Sequence, residues 1–200
     1  QTIEELAEVA SEVETPILAE QGLVVGDVEL SPIQQWFFEH DFANEHHWNQ
    51  SVLLDIKVDT KLTEQQISKA LAAVVLQHDA LRLRFARDDE NVRQFHHESA
   101  VGSEHFVLHQ IDLEQHPCTA LAQTITDHCS RIQASLNLAQ GPLLAAGLFK
   151  LASGQRKLLL VIHHLGVDGV SWRILLDDFT QALQKVQQHD EPALGMKTTS

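Results

Sequence analysis

Apolar residues recur at helical spacing in five stretches of the chain, with alternating or continuous apolar runs between them. Ile3, Leu6, Val9 and Ala10 line one face of a short N-terminal helix whose opposite face is acidic. After Pro16 the period is lost through Gly22 and Gly26, as in a linker, until Ser31 as cap and Pro32 in the first turn predict a fresh helix over 32–39. A strand is expected near 51–58. Thr63 and Gln66 are spaced as a capping box ahead of a helix over 64–77, whose apolar face is Ile67, Leu71, Val74 and Val75. Strands are expected over 80–86, 92–96 and 106–111, then a long helix over 119–136. Beyond the turn signal Gly141-Pro142, the apolar runs 143–151 and 157–163 face each other across Ser153-Gly154 as a hairpin, and a last helix spans 171–187. The alternation predicts a mixed α/β layer fold without internal repeats, its main domain starting near Val28.

Charge and length narrow the classes of function. Two hundred residues suffice for one sizeable core and a short appendage. No apolar run approaches the ~20 residues of a bilayer-crossing helix, and Gln1-Thr2-Ile3-Glu4-Glu5 is no targeting signal. A soluble, cytoplasmic chain with no membrane partner is therefore expected. Lys plus Arg number 14 against 28 Asp plus Glu, a formal net charge of -14, and no basic stripe is available to follow a phosphate backbone. Nucleic acid is not an expected partner. Cys118 and Cys129 fall in one predicted helical segment at no metal or redox spacing, and are expected to be buried thiols.

The chemistry concentrates in Leu158-Leu159-Leu160-Val161-Ile162-His163-His164-Leu165-Gly166-Val167-Asp168-Gly169-Val170-Ser171-Trp172. An apolar strand ends in two histidines, a turn brings an acid and a glycine, and a helix begins. Rigid strands that hand over to loops position reactive side chains well. Neighbouring strand residues point to opposite faces, so one histidine is expected to be catalytic and the other structural. Imidazole serves as general acid or base because its ordinary pKa, roughly 6.5, lies near working pH. Asp168 would partner a nearby cation, and Gly169 would permit a turn that a side chain obstructs. Histidine is also common as a satisfied core or surface residue, and His46-His47 and His96-His97 are read that way. Trp36, Phe37 and Phe38 are assigned to the core or to an interface between lobes.

His163-His164-Leu-Gly-Val-Asp168-Gly169 resembles the HHxxxDG signature of condensation-type domains in nonribosomal peptide synthetases. The continuation Val170-Ser171-Trp172-Arg173-Ile174-Leu175 and the opening Ser31-Pro32-Ile33-Gln34-Gln35-Trp36 resemble the epimerization branch of that family. Condensation domains tend to open with a longer Ala-Gln-x-Arg-x-Trp-type motif and to lack Val-Ser-Trp. Gln77-His78-Asp79-Ala80-Leu81-Arg82-Leu83-Arg84-Phe85 is similar to the family's RHExLRxxF, with Gln77 and Asp79 as departures, and Lys197-Thr198-Thr199-Ser200 to the start of KTTSFKxWA.

The resemblance implies an α/β, chloramphenicol-acetyltransferase-like two-layer lobe, the N-terminal subdomain only. Residues 1–14 resemble the last helix of a peptidyl carrier domain, 15–27 a linker, and 28–200 a truncated N-terminal lobe. It further implies that His164 is the catalytic base, supported by His163, Asp168, Gly169, Arg82, Ser171 and Trp172, with Arg82 paired to Asp168 to hold the histidine loop. The bland reading of Arg82 is a solvated strand residue. The substrate would be an aminoacyl or peptidyl thioester on the 4'-phosphopantetheine arm of an upstream carrier protein in cis, with no cofactor or metal bound by the chain itself. Inversion needs a second group on the opposite face, a glutamate that the family keeps in its C-terminal lobe, so this chain alone is expected to lack useful epimerase activity. Two alternatives stay open: a condensation domain forming peptide bonds, and a non-catalytic module that docks a carrier.

Overall fold

The computed structural model describes residues 19–57, 62–87, 91–98 and 105–197. The expected carrier-type helix, 1–14, lies outside them, as do Thr198, Thr199 and Ser200.

Among the described residues, seven strands and four helices follow in the order β1 (Gly26–Val28), α1 (Pro32–Glu39), β2 (Asn49–Ile56), α2 (Glu64–Gln77), β3 (Leu83–Arg87), β4 (Val92–His96), β5 (Phe106–Leu113), α3 (Leu121–Gln133), β6 (Leu144–Leu151), β7 (Arg156–His163) and α4 (Gly169–Gln187). The main sheet runs β2-β7-β6-β5, antiparallel except for the parallel β5–β6 pair, and a small antiparallel sheet runs β1-β4-β3. Helix starts obey the expected chemistry. Gln66 N–H donates to Thr63 Oγ1 at 3.2 Å while Gln66 Oε1 accepts from Thr63 N–H at 2.9 Å, and Ser31 N–H donates to Gln34 Oε1 at 2.8 Å.

The apolar runs of β6 and β7 are explained by layering, because helices cover both faces of the central strands. On one face α2 and α4 bring Ile67, Leu71, Val74, Leu175 and Phe179 onto Leu148, Leu160 and Ile162. On the other, α3 brings Ile132 onto Ala145, Phe149, Leu159 and Val161. Helix α3 approaches closely at Gly147, where a Cβ would lie 2.6 Å from Ile132 Cδ1. Phe37 and Phe38 of α1 join Leu83, Phe85, Leu138 and Leu143 in a third cluster bridging the small sheet, whereas Trp36 is exposed. The chain is thus the α/β lobe expected, and among the described residues no helix is long and apolar enough to cross a membrane.

Four expectations are corrected. Residues 79–82 form a 3-10 turn, so the strand expected from residue 80 starts at Leu83. Cys118 precedes α3 and is exposed, and Cys129 is only half-buried, because α3 packs a single face and leaves the other to solvent. Arg82 is neither solvated nor paired with Asp168: it is fully buried and donates to Asp79 Oδ1 at 2.6 Å, Val75 O at 3.1 Å and Val24 O at 3.1 Å. The 3-10 turn aims its guanidinium at the carbonyls left open at the end of α2, which need donors. Gly169 does not relieve a strained turn either; its φ is not positive, and a Cβ there would meet nothing within 4 Å, since it sits in the open first turn of α4.

Part of the expected linker is bound into the body. Gly26 to Val28 pair with β4, and Gln21 exchanges hydrogen bonds with the backbone of Lys197 at 2.8 and 2.9 Å. The Lys197 ammonium, 6% exposed, reaches Gly22 O at 2.7 Å and both Asp79 oxygens at 2.9 and 3.0 Å. Arg82 and Lys197 thus share the Asp79 carboxylate, two buried cations on one anion, with backbone carbonyls of Val24, Val75 and Gly22 accepting their other N–H groups.

Candidate active site

Strand β7 ends at His163, held by hydrogen bonds from its N–H to Leu143 O at 2.9 Å and from the His164 N–H to Trp48 O at 2.8 Å. The chain then turns through Gly166, whose N–H returns to His163 O at 2.9 Å, and enters α4 at Asp168. As the pleat requires, the two imidazoles diverge. His163 is fully buried, while His164 is exposed.

The two rings are also locked in opposite tautomers, each by its own partners. His163 Nδ1 accepts the Leu165 N–H at 3.2 Å, so its Nε2 carries hydrogen and donates to Glu45 O at 2.8 Å. The Phe37 ring meets it edge-on, with centroids 6.0 Å apart. Burial pushes the His163 pKa down to about 4, outweighing the bond to the Glu45 carbonyl, and the neighbouring His46 and His164 lower it further. This ring is neutral and structural. His164 Nδ1 faces Val167 O at 2.8 Å and must donate to it, which leaves the lone pair on Nε2.

Asp168 caps α4 rather than serving a cation. Its Oδ1 accepts from Ser171 Oγ at 2.6 Å, Ser171 N–H at 2.7 Å and Val170 N–H at 3.1 Å. The Ser171 hydroxyl first, and these backbone donors with it, hold the exposed carboxyl below the usual carboxylate range. Asp168 has no bond to Arg82, whose own carboxylate partner is Asp79. The sequence-predicted residues His163, His164, Asp168, Gly169, Ser171 and Trp172 therefore come together at the β7–α4 junction, and Arg82 supports them only through the turn behind it.

A cavity of about 480 Å³ opens beside His164, lined by Ile33, Trp36, Phe37, Trp48, Val167 and Asp168 among others. Its walls are mostly apolar and include no Lys or Arg. They suit an uncharged, largely apolar group and offer no counter-charge for a phosphate.

One site residue escaped sequence reasoning. Gln50 of β2 donates its amide N–H to His164 Nε2 at 3.1 Å and accepts from Trp172 Nε1 at 2.9 Å through Oε1. The available signal was its place in the strand: Gln50, Val52, Leu54 and Ile56 alternate onto the half-buried face, and only the first is polar.

Comparison with known proteins adds relatives to this geometry. Residues 24–199 match the family model described as Condensation domain. Surfactin synthase subunit 1 of Bacillus subtilis (strain 168) is 42% identical over 199 residues, which cover 100% of this chain and 5% of that protein. Tyrocidine synthase 2 of Brevibacillus parabrevis is 38% identical over 182 residues, 91% of this chain and 5% of that protein. The chain thus spans a small part of the length of these relatives. The crystal structure of the epimerization domain from the third module of tyrocidine synthetase B superposes with a TM-score of 0.82 at 37% identity, over 90% of this chain and 39% of that one. The starter condensation domain of rhizomide synthetase gives 0.68 at 22% identity over 85% and 40%, a likeness of fold alone.

Proposed function

The chain belongs to the condensation-domain family of peptide synthetases, and on that premise we propose that it is part of an epimerization domain that inverts the Cα of a carrier-bound aminoacyl or peptidyl thioester. The observation that carries this reading is the His164 ring, fixed through Nδ1 so that its lone pair lies on Nε2 at the mouth of an apolar cavity. The higher likeness to the solved epimerization domain, 37% against 22% identity, supports that branch, as do Val170-Ser171-Trp172, each of whose polar groups has a partner at the site.

In this reading His164 Nε2 takes the Cα proton: the C–H bond breaks, an N–H bond forms, and the electron pair moves into the thioester, whose oxygen takes up enolate-like charge. Apolar walls strengthen the interactions that stabilise such charge. His163 does not exchange protons; it ties the 45–47 turn to the histidine loop and so fixes the strand end. Asp168 and Ser171 fix the start of α4, which carries Trp172. The 4'-phosphopantetheine arm delivers the thioester, and its phosphate must be met by residues other than those lining this cavity. In this reading, return of the proton to the opposite face falls to a second group outside these residues.

The test is chiral analysis of the aminoacyl group released from the loaded carrier after incubation with the parent synthetase. D-configured product that vanishes in His164→Ala is expected, and unchanged D-product in that variant refutes the base assignment. The family's name favours a second reading, amide formation, and an amide-linked product in place of a D-thioester decides for it.

A further inference from the structure

Gln50 lies on the face of β2 that looks toward α4, where its neighbours in alternation are apolar and pack against the core. A half-buried amide is retained at such a position only with its hydrogen bonds met. Gln50 meets them in one orientation. The Trp172 indole is a donor and nothing else, so Oε1 of the amide must face it, and the NH₂ end must then face His164. His164 Nε2 accepts, and Nδ1–H passes the chain on to Val167 O at 2.8 Å. Every member of the run Trp172, Gln50, His164, Val167 thus has its direction dictated by the indole at one end and a carbonyl at the other.

We propose that Gln50 is a positioning residue, oriented by Trp172, which holds the His164 lone pair on Nε2 until substrate displaces its N–H. The proposal rests on His164 being the base and adds how that base is kept ready. The Cα–H of an arriving thioester needs the same lone pair that Gln50 occupies, so the amide must swing aside as substrate seats. Once Nε2 has taken the proton, the Gln50 N–H cannot return to it, because the two would be donors facing each other. The amide cannot relieve this by turning over, because the indole offers no acceptor to its NH₂ end. The arrangement leaves the protonated ring without an acceptor from Gln50. Holding one imidazole tautomer is a known large factor in histidine catalysis.

The experiment has two arms. In the full chain labelled with ¹⁵N at histidine and glutamine side chains, long-range ¹H–¹⁵N spectra above pH 8 are expected to report His164 as the Nδ1–H tautomer. A scalar coupling between Gln50 Nε2 and His164 Nε2 is expected in the wild type and lost in Trp172→Phe, which keeps the ring's bulk and removes only the donor. A wild-type Nε2–H tautomer, or a coupling that survives Trp172→Phe, overturns the proposal. In the parent synthetase, Trp172→Phe and Gln50→Leu are each expected to lower kcat by roughly 10- to 100-fold with KM unchanged, the range seen for partners that orient a reacting ligand. The double variant should be no slower than the slower single one, since the two side chains act as one unit; multiplicative losses overturn it. The spectra are independent of turnover. A coupling found in a protein whose His164→Ala variant stays active therefore refutes the base and leaves the relay, and a missing coupling with an inactive His164→Ala does the reverse.

Discussion

Acidification should unfold this chain through His163, and the size of the effect can be worked out. The ring is fully buried and keeps both nitrogens occupied as a neutral imidazole, one accepting from Leu165 N–H and one donating to Glu45 O. In the unfolded chain it takes up a proton near the ordinary value of 6.5, but in the folded chain only near about 4. Between those values the unfolded state binds more protons than the folded one, so stability falls as pH drops from 6.5 toward 4 and the loss is complete below that. At about 1.36 kcal/mol per pH unit the full effect is about 3 kcal/mol, and the step from pH 7 to pH 5 contributes about 2 kcal/mol. The comparison is urea unfolding of the wild type and of His163→Gln at both pH values. Gln cannot titrate, so the wild type should lose about 2 kcal/mol more than the variant over that interval. Equal losses, or a His163 ring that titrates above pH 6 in the folded protein, would refute the assignment of this histidine as a buried neutral strut.

Two further outcomes test the packing. Asp79→Asn leaves the Arg82 guanidinium and the Lys197 ammonium buried without their shared carboxylate, and should cost about 3–5 kcal/mol in denaturant unfolding, part of which Lys197→Met in the same chain restores. Gly147→Ala drives a methyl to within 2.6 Å of Ile132 Cδ1 and 3.3 Å of Phe149 Cε2; it should lower stability by about 1–3 kcal/mol in thermal unfolding, with Ile132→Val relieving some of that.

Elements whose signals are local were legible in the sequence. The bounds of α1, α2 and β4 follow from a Pro and Ser start, a capping box and a short alternating run, all read within a few neighbouring residues. The divergence of His163 and His164 follows from the pleat alone. What the sequence withheld depends on residues distant along the chain. The resemblance pairs Arg82 with Asp168, yet its partners are Asp79 and the carbonyls reached from a 3-10 turn that faces the end of α2 and Val24. Asp168 was expected to serve a cation because its role as cap needs the helix start placed at Gly169 rather than Ser171. Gln50 is 114 residues from His164, and only the β2–β7 register, which sets Asn49 opposite His163, brings it there. The exposure of Cys118 reflects a helix that begins two residues later than its period suggested.

The clamp formed by Gln21, Gly22, Val24, Asp79, Arg82 and Lys197 also sets a mechanical path through the lobe. Residues 21 and 197 are joined directly across 176 positions of sequence. A pull entering at one and leaving at the other is taken up by that handful of hydrogen bonds and the buried ion pairs. Tension along the chain is therefore expected to load the clamp first.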